Sequence, residues 1–177
     1  MAIEKRKKKF FDVEMPLIGK QTQMQAYEIP ELNGRFLKYD LTRVLRGKSV
    51  MLTLKIKVEG NNILTIPKKI EVMPYFIRRM IRKGTNYVED SFAAECEDAK
   101  LKIKPLLVTR RKVSRAIRKE LRNKAREEII EYVKNKKSEQ LFDDILKTQM
   151  QKVLSSKLKK VYPLALCEIR IFEAKEK

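Results

Sequence analysis

The 177-residue sequence has no histidine, no tryptophan, two cysteines and five glycines. Without histidine, the side chain that most readily moves protons near neutral pH is missing, and so is the imidazole metal ligand. Cys96 and Cys167 stand far apart with no C-x-x-C spacing, which argues against a zinc module. None of the glycines lies in a G-x-x-x-x-G-K or G-x-G-x-x-G setting, so nucleotide binding has no support and no cofactor is expected. No run approaches the roughly 18 apolar residues of a membrane span, which leaves no membrane partner. The apolar run after the basic start is broken by Asp12, Glu14 and Pro16, leaving no signal-peptide core; the chain reads as cytoplasmic.

Acidic charge is also scarce. Lys and Arg number 42 against 23 Asp and Glu, a net charge of +19, with a pI near 10.0. Internal carboxylates cannot balance that excess, and a pI this high belongs to the range of nucleic-acid-binding domains. A hydrophobic content of 43% argues against wholesale disorder, and the length suffices for one sizeable core.

Local patterns divide the chain. Residues 1–20 read as a basic N-terminal arm, with Lys5, Arg6, Lys7, Lys8 and Lys9 too crowded with like charge to fold on themselves. Residues 21–177 read as a single domain, β-rich over 21–109, helical over 110–162, with a final strand over 164–173. In SVMLTLKIKV (49–58), Val50, Leu52, Leu54, Ile56 and Val58 alternate with polar or flexible residues, the period of a half-buried strand. ILTIPKKIEV (63–72) returns after Gly60-Asn61-Asn62, and SFAAECED (91–98) with LKIKPLLV (101–108) reads as a second hairpin. RFLKYDL (35–41) and LCEIRIF (166–172) bring the count to about six strands, with QTQMQAY (21–27) a further edge strand. The expected fold is α+β: a small β-barrel or sandwich with a short inserted helix and a C-terminal pair of longer helices.

The inserted helix is PYFIRRMIRKG (74–84), with proline suited to its first turn and glycine to its end. Phe76, Ile77, Met80 and Ile81 form its buried side, leaving Arg78, Arg79, Arg82 and Lys83 as a basic face. RRKVSRAIRKELRNKAR (110–126) carries nine Lys or Arg and one Glu in seventeen residues. Continued to Lys134 it makes a helix about 33 Å long, with Val113, Ile117, Leu121, Ala125 and Ile129 as its apolar stripe. After Arg110, the residues Arg111, Arg115, Arg118, Arg122 and Arg126 fall within a sector of about 80°. Guanidinium binds phosphate through paired hydrogen bonds and stacks on bases, so this ridge fits an elongated polyanion. Ser138 suits the N-cap of a second helix marked by Leu141, Ile145, Met150, Val153, Leu154 and Leu158, ending before Pro163.

An enzymatic alternative rests on VEDSFAAECED (88–98), whose carboxylates are of the type that holds magnesium ions in a nuclease. Strand alternation opposes it, since Phe92, Ala94 and Cys96 share one face and Glu95 and Glu97 the other, as in an exposed acidic strand. Cys96 then packs in the core, and Cys167 shares a face with Ile169 and Ile171. Neither has an activating base, so no catalytic and no metal residue is assigned.

YDLT (39–42), YFIRRMIRKGTNYVED (75–90), LKIKPLLVT (101–109), RKVSRAIRK (111–119) and VYPLALCEIRIFE (161–173) occur in an order and at intervals that resemble the archaeal and eukaryotic small-subunit ribosomal protein family called S-three-a, or eukaryotic-type S-one. The resemblance covers nearly the whole chain from about Lys7. It implies a β-barrel with flanking helices, a place on the subunit platform near the messenger exit, and a non-enzymatic role bound to small-subunit rRNA and neighbouring platform proteins. The chain ends soon after its last strand and so resembles the shorter archaeal form. From the charge pattern, the residues expected to bind rRNA are the arm, the basic face of the short helix and the arginine ridge with Arg110. A free-standing RNA chaperone or translation factor is the alternative.

Overall fold

A computed structural model of the chain describes residues 7–45, 47–60 and 62–176. Contacts divide it into two compact units, 1–39 with 53–68 and 40–52 with 69–177.

In the first unit, β1 (Lys9–Met15) and β2 (Lys20–Ala26) form an antiparallel hairpin running from the Lys9↔Ala26 pair to Met15↔Lys20. Gly19, at φ 66, closes the turn; a side chain is disfavoured in that left-handed conformation. A 3-10 turn over Ile29–Leu32 leads to β3 (Phe36–Asp40), followed by β4 (Val50–Glu59) and β5 (Asn62–Val72). Alternation in β1 puts Val13 inward, where it packs with Ala26, Leu32, Ile56 and Ile63 in a small core. A parallel bridge joins Glu14 to Leu64, and the Thr65 hydroxyl donates to the Glu14 carbonyl at 3.0 Å.

The second unit holds α1 (Pro74–Met80), β6 (Tyr87–Glu89), β7 (Phe92–Glu95), β8 (Ala99–Thr109), α2 (Arg115–Lys134), α3 (Ser138–Leu146), α4 (Gln149–Leu158) and β9 (Leu164–Glu176). Strand β8 pairs antiparallel with β6, β7 and β9, and the β8–β9 ladder extends from Ala99↔Glu176 to Thr109↔Leu164. Its register shifts at Lys104/Pro105, where proline has no N–H to donate. Helix α2 packs on β6, β7 and α4, burying Leu121, Ala125, Ile129 and Val133. Phe142 of α3 meets Phe172 of β9 edge to face, with ring centroids 5.0 Å apart.

The expected six-stranded barrel with two C-terminal helices is overturned. Nine strands and four helices are present among the described residues, and the strands form a mixed, open sheet in the order β2-β1-β5-β9-β8-β6, with β3, β4 and β7 off that path. Strand β5 pairs with β1 in the first unit and with β9 in the second. The extra strands are β1, which the lysine run disguises as an arm, and β6, only three residues long. The single second helix is two, because Thr148 adopts φ 59 between them. That break coincides with a five-residue step from Ile145 to Met150, too long for the three- or four-residue rhythm of one helix face.

The start of α3 is capped from a distance. Ser138 is its first residue, not its N-cap; the Asp98 carboxylate accepts from the Ser138 amide at 2.9 Å and from its hydroxyl at 2.7 Å. Burial opposes the charge on Asp98, but these bonds and the Cys96 thiol, at 3.2 Å, hold its pKa below the ordinary value. Between α2 and α3, Asp144 accepts from the Tyr132 hydroxyl at 2.8 Å and the Lys136 ammonium at 2.5 Å.

Two stability tests follow from these junctions. Asp98→Ala should destabilise the fold by about 1 kcal/mol at neutral pH, as for loss of a helix cap. Because the folded pKa of Asp98 is depressed, its contribution is present above the unfolded value near pH 4 and is lost as pH falls through the folded one. Denaturant melts at several pH values should therefore show the parent and variant converging below about pH 4. Thr148→Gly removes a β-branched residue from left-handed backbone and should raise stability by up to about 1 kcal/mol in the same assay.

Candidate RNA-binding surface

The basic residues of the second unit flank one set of hydrogen bonds centred on the buried Thr109. Thr109, fully buried at the end of β8, accepts from the Asn86 amide at 3.0 Å and donates its own amide to the Asn86 carbonyl at 2.8 Å. Its hydroxyl donates to the Arg111 carbonyl at 2.7 Å, and the Asn86 side chain accepts from the Val113 amide at 2.8 Å. Asn86 follows the turn carrying Arg82 and Lys83; Arg111 and Val113 belong to the segment entering α2. The set therefore fastens the exit from α1 to the entrance of α2.

Arg78 and Arg79 are exposed in the last turn of α1, and Arg82 and Lys83 are exposed beyond it. The helix ends at Met80, so the four bases do not share one helix face as expected: Arg82 and Lys83 lie beyond its end. The Arg79 guanidinium lies 5.4 Å from the centroid of Phe76 and reaches the Gly47 carbonyl at 3.5 Å. Gly84 takes φ 85 in the turn, and the Thr85 hydroxyl donates to the Arg82 carbonyl at 2.7 Å.

Arg110 and Arg111 are exposed ahead of α2, whose N-cap is Ser114; the Ser114 hydroxyl accepts from the Ile117 amide at 3.4 Å. Arg115, Arg122 and Arg126 are exposed along the helix, whereas Arg118 is half-buried with its Nε enclosed and unpartnered. The buried seam explains the difference. Arg118 precedes Ala125 by about two turns and so points toward the packed side, with the other arginines beside the seam. Arg126 lies over the Phe92 ring of β7, 5.4 Å from its centroid. Val113 stands before the helix, and Val133 completes the apolar stripe.

In the first unit, Lys7, Lys8 and Lys9 are exposed, and Lys9 opens β1. Lys5 and Arg6 lie outside the described residues. Lys112 and Lys119 add exposed charge around α2 that the arginine pattern did not single out. The positioning role of Asn86 and Thr109 had no sequence signal, since their partners are up to 27 residues away.

Among the described residues, none of Arg78, Arg79, Arg82, Arg110, Arg111, Arg115, Arg118, Arg122 and Arg126 has a carboxylate ion-pair partner. Two of the helix's own acids are used elsewhere: Glu128 and Glu131 face Lys157 of α4. This distribution leaves a planar, multidentate set of cations for an external polyanion.

Chemistry for catalysis is not assembled in the acidic strand. Phe92, Ala94 and Cys96 are buried while Glu95 and Glu97 are exposed, and Glu95 faces Lys100 at 3.5 Å. Burial raises the pKa of the Cys96 thiol, and burial with the neighbouring Glu168 pushes Cys167 up to about 12. Neither thiol is a ready nucleophile at neutral pH. No group of metal-ligating side chains occurs among the described residues.

Thr109→Val should cost about 1 kcal/mol in denaturant melts, because it keeps the side-chain volume but removes the buried hydroxyl that accepts from the half-buried Asn86 amide and donates to the Arg111 carbonyl.

Residues 4–177 match the ribosomal S3Ae family. The chain is 26% identical to the small ribosomal subunit protein eS1 of Nanoarchaeum equitans over 182 residues, covering 97% of this chain and 92% of that protein. It is 32% identical to eS1 of Methanothermobacter thermautotrophicus over 132 residues, covering 73% and 68%, respectively. The corresponding protein of Pyrobaculum aerophilum is 29% identical over 181 residues, covering 96% and 82%. With almost its whole length matched, the chain belongs to the ribosomal S3Ae family, whose members are structural components and not enzymes.

Proposed function

We propose that the protein is a structural constituent of the small ribosomal subunit that binds small-subunit rRNA on the platform near the messenger exit, in contact with neighbouring platform proteins. The observation that carries the RNA reading is the set of arginines without internal carboxylates, held on either side of the Asn86–Thr109 hydrogen bonds. Family membership and relatives named as small ribosomal subunit proteins support the ribosomal setting. No helix among the described residues is long and apolar enough to cross a membrane.

Binding then proceeds by charge and shape. Arg82 and Lys83 at the exit of α1, with Arg110, Arg111 and Arg115 at the entrance of α2, meet rRNA phosphates, and Arg122 and Arg126 extend the contact along the helix. Lys5, Arg6, Lys7, Lys8 and Lys9 supply a second basic contact at the N-terminal end. Because each phosphate contact releases condensed counterions, affinity falls with salt in proportion to the number of contacts.

Arg115 and Arg122 are both exposed and support no packing, so Arg115→Gln with Arg122→Gln should leave the fold intact. Titration of a small-subunit rRNA fragment at several salt concentrations should show weaker binding and a log–log salt slope shallower by about 1.5 than in the parent. Equal affinity and equal slope would remove these residues from the interface.

A further inference from the structure

The hairpin of the first unit exposes aromatic surface that neither its core nor the phosphate contacts use. Val13, Met15 and Ala26 are buried, so the two-residue period turns Lys8, Phe10, Gln25 and Tyr27 to the opposite, outward face. Phe10 pairs in register with Gln25, and Lys9 with Ala26, which sets Lys8 beside Tyr27. The Lys8 ammonium lies 5.6 Å from the Tyr27 ring centroid. Phe10 is 63% exposed and Tyr27 41%. Backbone bonds hold the platform: the Tyr27 amide donates to Glu31 at 3.0 Å, and Arg35, ion-paired with Glu31, reaches the Gln25 carbonyl at 3.5 Å. Phe36, next in the chain to Arg35, is 62% exposed.

A single exposed aromatic is ordinary, but two on one face of a hairpin, with a lysine against one ring, combine the two features that hold unpaired nucleotides. Aromatic faces stack on bases irrespective of sequence, and ammonium groups meet the phosphates between them. Lys7, Lys8 and Lys9 give this end of the hairpin a positive border, and the Gln25 amide can hydrogen-bond a base edge. Further along the same face, Asp12 and Glu14 repel phosphate, which limits the site to the Lys8 end. Paired bases cannot reach the rings, so the ligand is single-stranded.

Resting on the RNA-binding reading above, we propose that Phe10 and Tyr27, bordered by Lys8, form a stacking site for unpaired RNA bases on the outward face of the β1–β2 hairpin. Full-length protein is titrated with two labelled RNAs of equal phosphate number, an unstructured strand of roughly 12 nucleotides and a fully paired hairpin closed by a non-nucleotide linker. The Phe10→Ala, Tyr27→Ala double variant should bind the single strand at least about tenfold more weakly, while hairpin affinity and salt slope stay at parent values. Phe10→Trp should keep the affinity, and its indole emission should be quenched by the strand. Unchanged single-strand affinity in the double variant, or equal loss on both RNAs, overturns the stacking site and leaves the phosphate reading standing. A parent that binds neither RNA overturns both readings. A double variant that keeps its single-strand affinity but fails to remain with small subunits identifies a neighbouring protein as the occupant and overturns the RNA assignment.

Discussion

The hydrogen bonds around Thr109 fix the geometry of the basic surface in the second unit. Its hydroxyl sits at the end of β8, the strand that pairs with β6, β7 and β9, and it joins two segments separated by more than twenty residues. An unmade bond at a buried donor costs about 1–3 kcal/mol, so neither segment can swing away cheaply. The Asn86 side chain performs the complementary task by accepting from the Val113 amide just before α2 begins. Cations are thereby presented from a strand end and two helix ends, not from free loops.

Electrostatics would ordinarily spread those cations or pair them. Like charges along a helix oppose each other by a few tenths of a kcal/mol per pair, and α2 tolerates them because its stability comes from the seam formed by Leu121, Ala125, Ile129 and Val133. Glu128 and Glu131 on the same helix are drawn to Lys157 of α4 instead. Two further acids of this unit serve internal junctions, Asp98 at α3 and Asp144 at Tyr132 and Lys136. The guanidiniums of α1, α2 and the segments beside them are left for the proposed rRNA partner to neutralise.

Much of this organisation is legible in the sequence. Period-two alternation located β4, β5, β7 and β8, and the spacing of Leu121, Ala125 and Ile129 located α2. Closure was not legible, because alternation identifies a half-buried face without saying which strands pair; the barrel expectation failed there. Strand β1 was hidden by its charge, although Phe11, Val13 and Met15 already alternate with Phe10, Asp12 and Glu14. The arginines stood out as a ridge, but their angle to the buried seam was not read, and so the half-burial of Arg118 was missed. Thr109 and Asn86 could not be found at all, since their roles arise only when β8 ends beside the α1 exit.

A density map of the assembled small subunit shows what these arginines meet. rRNA phosphates should lie within hydrogen-bonding distance of Arg82, Arg111, Arg115 and Arg122, on either side of an intact Asn86–Thr109 pair. Bulk solvent or an acidic protein surface opposite those four guanidiniums would contradict the rRNA assignment.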